Sequence, residues 1–144
     1  FYTLEVLALI PQLRLCSDLS HFVVDRELQL PINRSDSNHF SQIIERSDSF
    51  QGRISSNQQI QIALHFPQHV EWVNQYLSWW REGFEAWFRR NTNEGTLRFL
   101  VELGPPPYAI TDAGQRELSD RWAEGMLIRE WVQDIWSKIP VAKS

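Results

Sequence analysis

One cysteine, Cys16, is all the chain has, so no internal disulfide framework can brace it and its stability has to come from a packed core. That cysteine usage fits a reducing, cytoplasmic setting. Long hydrophobic runs are missing as well. Nothing approaches the roughly 18 apolar residues that cross a bilayer, and no membrane partner is expected. The apolar stretch Val6-Leu7-Ala8-Leu9-Ile10 sits between Glu5 and Pro11 without the basic flank of a signal peptide. Basic tracts are absent, and a formal net charge of −4 gives no electrostatic footprint for nucleic acid. There is no Gly-rich phosphate loop, no CxxC, no HExxH and no GxSxG nucleophile turn. With them go the common signatures of nucleotide binding, thiol redox chemistry, zinc proteolysis and serine hydrolysis.

What is there is a hydrophobic content of 42% over 144 residues, enough for one packed domain spanning 1–144. The 7 tryptophans are many for this length, and most recur at helical spacing, where they need a surface to pack against. Leu4, Leu7 and Ile10 give a short helical period that Pro11 ends. Leu13-Arg14-Leu15-Cys16 alternates as a short strand does and delivers Asp18 at its end. Residues 22–30 read as irregular or helical up to Pro31, and residues 33–38 as a loop or helix cap. A short helix is expected over 39–46, capped by Ser37 or Asn38, and a second strand over 50–54.

Residues 59–63 alternate like a strand but fit an extended loop equally well. From Gln68 onward Val73, Tyr76, Leu77, Trp80, Phe84 and Trp87 follow an i, i+3, i+4, i+7 pattern, the mark of a long amphipathic helix with an aromatic face. A turn is expected over 91–95, and Leu97-Arg98-Phe99-Leu100-Val101 reads as a buried parallel strand. Three prolines make residues 104–108 a stiff loop. After a turn at Gly114, Ser119 can cap a last helix whose stripe runs through Trp122, Ile128, Val132, Ile135 and Trp136. The order α, β, α, β, α, β, α calls for an α/β fold, a parallel sheet covered by aromatic-rich helices.

Each strand stops at a polar group: Asp18, Arg53 and Glu102. An apolar run ending in an acid, with a helix following, is how a (β/α) barrel builds its active-site rim. Asp18 and Glu102 are hard oxygen donors that suit a divalent ion able to polarise a sugar carbonyl. They equally suit a quieter arrangement, in which Asp18 caps a turn with Ser20 and Glu102 pairs with a nearby arginine. His21 falls on the same loop or first helical turn as Asp18. Arg53 either holds a phosphate or polyol or forms a salt bridge to Asp18 or Glu102. His39, His65 and His69 lack ligand spacing and read as surface or helix-end residues. Trp72, Trp79, Trp80 and Trp87 read as helix packing rather than a base-stacking platform.

Leu13-Arg14-Leu15-Cys16-Ser17-Asp18-Leu19-Ser20-His21-Phe22, Gly52-Arg53-Ile54 and Phe99-Leu100-Val101-Glu102-Leu103-Gly104-Pro105-Pro106-Pro107-Tyr108 together resemble the xylose isomerase-like TIM-barrel superfamily, most closely its sugar phosphate isomerase/epimerase proteins. The helix with Trp79-Trp80 and the helix opening at Ser119-Asp120-Arg121-Trp122 extend the likeness over nearly the whole chain. The resemblance implies a partial TIM barrel, about the last three βα units. It also implies a divalent metal (Mn, Mg, Co or Zn) held by a Glu, an Asp, a His and a second Glu, with a small carbohydrate or sugar phosphate as substrate. On this chain Asp18 and Glu102 take the places of the Asp and the second Glu, and Glu102 doubles as an acid/base group. His21 and Arg53 fall on substrate-side positions. Gln51 stands where the family has its ligand His, a weaker donor for Zn²⁺ or Co²⁺ than imidazole, and the first Glu has no counterpart.

The expected function is metal-assisted proton transfer on a carbohydrate carbonyl, as in an isomerase or epimerase. The alternative is a truncated, non-catalytic remnant, or a carbohydrate- or partner-binding module on the same scaffold. A helical interaction domain, unrelated to the family and using its aromatic stripes, is a third reading. Three parallel strands cannot close a barrel, so the strands at Leu13 and Leu97 are expected to be unpaired edges, the sheet's inner face apolar and open, and the isolated chain poorly stable or self-associating.

Overall fold

A computed structural model describes residues 2–91 and 95–139. Strands β1 (Leu15–Ser17), β2 (Ser47–Gly52) and β3 (Arg98–Val101) form one sheet in the order β1-β2-β3, and both pairings are parallel. Helices are α1 (Tyr2–Leu9), α2 (Leu19–Asp25), α3 (Arg34–Glu45), α4 (Val70–Arg90) and α5 (Arg121–Ser137), with a 3₁₀ turn at Pro67–His69 leading into α4. The expected alternation holds, with two helices rather than one between β1 and β2. None of the helices among the described residues is long and apolar enough to cross a membrane.

Several boundaries move for local reasons. Helix α3 begins at Arg34 because Asn33 caps it, its side chain accepting from the Asp36 amide at 2.9 Å. The polar run 34–38 is therefore helix, and neither Ser37 nor Asn38 is the cap. Helix α5 is capped by Asp120, which accepts from the amides of Trp122 and Ala123. Ser119 instead donates to Glu124 at 3.0 Å. Trp122, 81% exposed, stands apart from the buried stripe of Ile128, Val132 and Ile135. Residues 59–63 form a loop, and most of the turn expected over 91–95 lies outside the described residues.

The core is an aromatic seam between the sheet and α4. Phe50 meets Phe84 edge-on with ring centroids 5.9 Å apart, and Phe99 meets Trp80 at 5.0 Å. Trp79, on the neighbouring stripe of α4, stacks on Phe40 of α3 at 4.4 Å. Trp136 of α5 closes the other side against Phe84 at 5.6 Å. The tryptophans of α4 are thus packing residues, against helices as well as sheet. Each buried ring of this size removes roughly 150–250 Å² from water, worth on the order of 4 kcal/mol before ordering costs. Helices α3, α4 and α5 stand side by side and pack against β1, β2 and β3 in turn.

Because side chains alternate along a strand, the residues between these core rings face away from the helices. They are Cys16, Ser49, Gln51, Arg98 and Leu100, of which Cys16, Arg98 and Leu100 are exposed. β3 is therefore half-buried rather than a buried strand, since helices cover only one of its faces. The other face is open as expected, but it is mostly polar, with Leu100 as its one large apolar side chain. Among the described residues β1 and β3 are both edges.

Two helical glycines separate packing from propensity. A Cβ on Gly83 would lie 2.4 Å from the buried ring of Phe50, whereas one on Gly125 would sit 3.5 Å from Val101, an ordinary contact. Glycine costs about 1 kcal/mol relative to alanine inside a helix, and overpacking costs about 1–3 kcal/mol. Gly125→Ala is expected to raise unfolding free energy by up to about 1 kcal/mol, and Gly83→Ala to lower it, in urea titrations of the two variants.

Candidate functional site

Asp18, Arg53 and Glu102 each lie two residues beyond an open-face position, after Cys16, Gln51 and Leu100. All three therefore emerge at the C-terminal ends of the strands on the side away from the helix layer. The Glu102 amide still donates to the Gly52 carbonyl at 3.2 Å, so the ladder continues just past β3 and sets Glu102 beside Arg53.

Arg53 is the centre of the arrangement and is 4% exposed. Its Nη2 donates to Asp18 Oδ2, its Nη1 to Glu102 Oε1 at 3.3 Å, and its Nε to Ser20 Oγ at 3.2 Å. Asp18 is held from the other side. Its Oδ1 accepts from the Ser20 amide at 3.0 Å and the Ser20 hydroxyl at 2.6 Å, while the residue caps α2. A buried guanidinium is tolerable only when its fork is matched by acceptors, and here each nitrogen has one. His21, on the first turn of α2 and largely exposed, brings Nε2 to 3.2 Å from Arg53 Nη2 and 3.5 Å from Asp18 Oδ2. Arginine offers no acceptor, so that contact uses Nε2 as an acceptor, whereas the carboxylate contact uses it as a donor.

The next loop adds a wall. Gln61 is buried in the 59–63 segment, where its Oε1 accepts from the Gly104 amide at 2.7 Å and its Nε2 donates to the Gly104 carbonyl at 3.0 Å. A Cβ on Gly104 would fall 2.7 Å from the Tyr108 ring, so only glycine lets the loop fold back this tightly. The Tyr108 ring then lies 5.7 Å from the Arg53 guanidinium carbon, within cation–π range. Beneath the cluster the Tyr76 hydroxyl shares a 2.6 Å hydrogen bond with Ser55. Burial pushes the Tyr76 phenol well above its ordinary value. Ser55 opposes the rise, Asp18 adds to it, and Arg53 works against it.

The structure thus brings together Asp18, His21, Arg53 and Glu102. Gln51 shares their face but, among the described residues, makes no hydrogen bond to them. His69 is buried with its Nδ1 2.7 Å from the Ala63 carbonyl, and His65 lies near Glu124. Gln61, Tyr76 and Tyr108 were not legible as site residues. Gln61 is hidden in an ambiguous alternating run, Tyr76 in a helix stripe and Tyr108 behind three prolines. A cavity of about 500 Å³ lies elsewhere, between β3 and α5, lined by Val101, Leu103, Trp122 and Met126 among others.

The residues present do not fit a divalent ion as they stand. Both oxygens of Asp18 are engaged, and Arg53 occupies the place between Asp18 and Glu102 where a metal would need to bridge them. Among the described residues no group of three His, Cys, Asp or Glu side chains converges as a metal site would require. The chain matches no protein-family model, no curated protein and no solved structure.

Removing Arg53 should be costly, because it strands a buried carboxylate. Arg53→Met is expected to lower unfolding free energy by about 3–5 kcal/mol, with much of the loss recovered when Asp18→Asn is added. A loss below about 1 kcal/mol in urea titration would mean the bridge contributes little.

Tyr76 gives a pH signature. The folded state keeps the phenolic proton above pH 10 or so, where the unfolded chain begins to lose it. The unfolded state then binds fewer protons, and stability falls by about 1.4 kcal/mol per pH unit. Urea midpoints of the wild type are expected to decline more steeply above about pH 10 than those of Tyr76→Phe.

Proposed function

We propose that this chain is part of a xylose isomerase-like (β/α) barrel and that the rim formed by Asp18, His21, Arg53 and Glu102 binds a small carbohydrate or sugar phosphate. One observation carries the reading: three polar side chains from the ends of successive parallel strands, and a fourth from the helix turn after one of them, meet at the C-terminal end of the sheet. That is where a barrel places its ligand site. Charged groups whose geometry is fixed by one another, beside a half-exposed aromatic ring, suit a ligand made of hydroxyls and C–H faces. On this reading the rim binds without a metal at Asp18, whose oxygens are already engaged.

The second reading is the isomerase or epimerase itself, with metal-assisted proton transfer at a sugar carbonyl. It is favoured by Glu102, whose side chain is 37% exposed and has one oxygen beyond the one Arg53 takes. In that case Glu102 holds or moves the proton, and Gln51 is the neutral donor on the same face.

The two readings separate in one set of titrations. Saturation-transfer NMR with a panel of aldoses, ketoses and their phosphates is expected to detect binding with Kd near about 1 mM, equivalent to about 4 kcal/mol. The signal should fall several-fold in His21→Ala and Glu102→Ala, which leave Arg53 paired with Asp18. No binding by any member of the panel rules out the rim as a carbohydrate site. Mn²⁺ is expected to bind no more tightly than about 1 mM. Micromolar Mn²⁺ binding lost in Glu102→Ala replaces the first reading with the second.

A further inference from the structure

We propose that this rim selects an uncharged, unphosphorylated sugar over its phosphate ester. The inference rests on the carbohydrate reading above and narrows the ligand class. Three formal charges share one hydrogen-bonded cluster, Asp18 and Glu102 negative and Arg53 positive, which leaves a net charge of −1.

A phosphate needs a cation it can reach, and Arg53 is not one. Its Nε, Nη1 and Nη2 are taken by Ser20, Glu102 and Asp18, and the side chain is 4% exposed. Bidentate capture of a phosphate would require breaking those bonds inside the protein. Among the described residues no other lysine or arginine pairs with the cluster. On the β3–α5 connection Arg116 is tied to Asp112, and Arg121 at the start of α5 is tied to Glu117. The Asp112 carboxyl is held below the usual carboxylate range by its bonds to Arg116.

The other common phosphate site is a helix N-terminus. Here the N-terminus of α2 is already filled by a carboxylate, because Asp18 caps it from within the rim. An incoming dianion would meet Asp18 and Glu102 instead of free amides. What remains accessible is the outer oxygen of Glu102, the exposed His21 ring and the half-exposed face of Tyr108. Hydroxyls can donate to the carboxylate, and the C–H face of a sugar ring can lie on the tyrosine. Neither of those two contacts gains from a phosphate, and the one ring able to donate to it, His21, stands beside the Asp18 carboxylate.

The size of the discrimination follows from Coulomb's law. A phosphate dianion about 7 Å from one uncompensated charge in a water-like medium loses roughly tenfold in affinity. Fructose and glucose should each bind up to about tenfold more tightly than their 6-phosphates at low salt, in NMR titrations of the intact chain. Two further measurements read the cause. Glu102→Gln removes the uncompensated charge, and raising ionic strength from about 0.01 M to 1 M shortens the Debye length from about 30 Å to 3 Å. Both should narrow the ratio several-fold, and the salt series does so without a substitution that could disturb folding. Equal or tighter binding of the phosphates overturns this inference and leaves the carbohydrate reading standing. A preference for the free sugar that neither salt nor Glu102→Gln narrows overturns the charge argument. Failure of all four ligands to bind overturns both.

Discussion

A guanidinium with almost no access to water cannot be solvated by anything except its neighbours, and Arg53 determines how the ends of all three strands are arranged. Asp18 comes to it from β1 and the cap of α2, Ser20 from the first turn of α2, and Glu102 from the end of β3. Desolvating the ion costs several kcal/mol, and only a full set of acceptors offsets it. The bridge thus ties the two outer strands to the central one at the end where their hydrogen bonding stops. The neighbouring contacts depend on the same point: Tyr108 rests over the cation and the buried Tyr76 lies beneath it.

The opposite end of the sheet is tied by arginines as well, but to different partners. Arg46, just past α3, donates to the carbonyls of Ile10, Pro11 and Leu13 and so satisfies the end of α1 and the chain leading to β1. Arg90, at the end of α4, reaches the Ser47 carbonyl and Asp48 at 2.8 Å each. The helix layer is therefore joined to the sheet by an aromatic seam in the middle and by ion–dipole contacts at the N-terminal end. The C-terminal rim carries its charges on the open face. That division leaves the aromatic seam to the middle of the sheet and the ion pairs to its two ends.

Much of this was legible in the sequence where the pattern was long. Helix α4 shows itself over twenty residues of aromatic periodicity, and the three strand ends announce themselves through Asp18, Arg53 and Glu102. A salt bridge from Arg53 to Asp18 or Glu102 is one of two arrangements the residues allow, and its pairing with both acids is not legible because it depends on register. Ser49 pairs with Arg98, and this register is what sets Glu102 against Arg53. Short polar elements read less well. The start of α3 was hidden in Arg34-Ser35-Asp36-Ser37-Asn38, a run whose composition favours loops until the cap at Asn33 is seen. The half-burial of β3 is not legible because an apolar run does not say how many of its faces are covered. The membership in a barrel family, the metal and the substrate were carried by resemblance alone, and the fold seen here is the coarser one: helices on one side of three parallel strands.

A guanidinium and a divalent ion answer the same electrostatic need, two carboxylates brought together at a strand end, in ways that exclude each other. The ion would require Asp18 to give up Arg53, and Arg53 has no second place to go. Its Nε is bound to Ser20, its Nη1 to Glu102, and the ring of Tyr108 lies over its guanidinium carbon. Moving it would break its bonds to Ser20, Glu102 and Asp18 at once inside the protein. Gln51 points the same way. A neutral amide is a weaker donor to a transition metal than an imidazole, and it adds no charge to the rim. The pairing of a buried arginine with a glutamine next to it on the strand is internally consistent for a site that positions hydroxyls through fixed protein charges, and inconsistent for one that must make room for a metal.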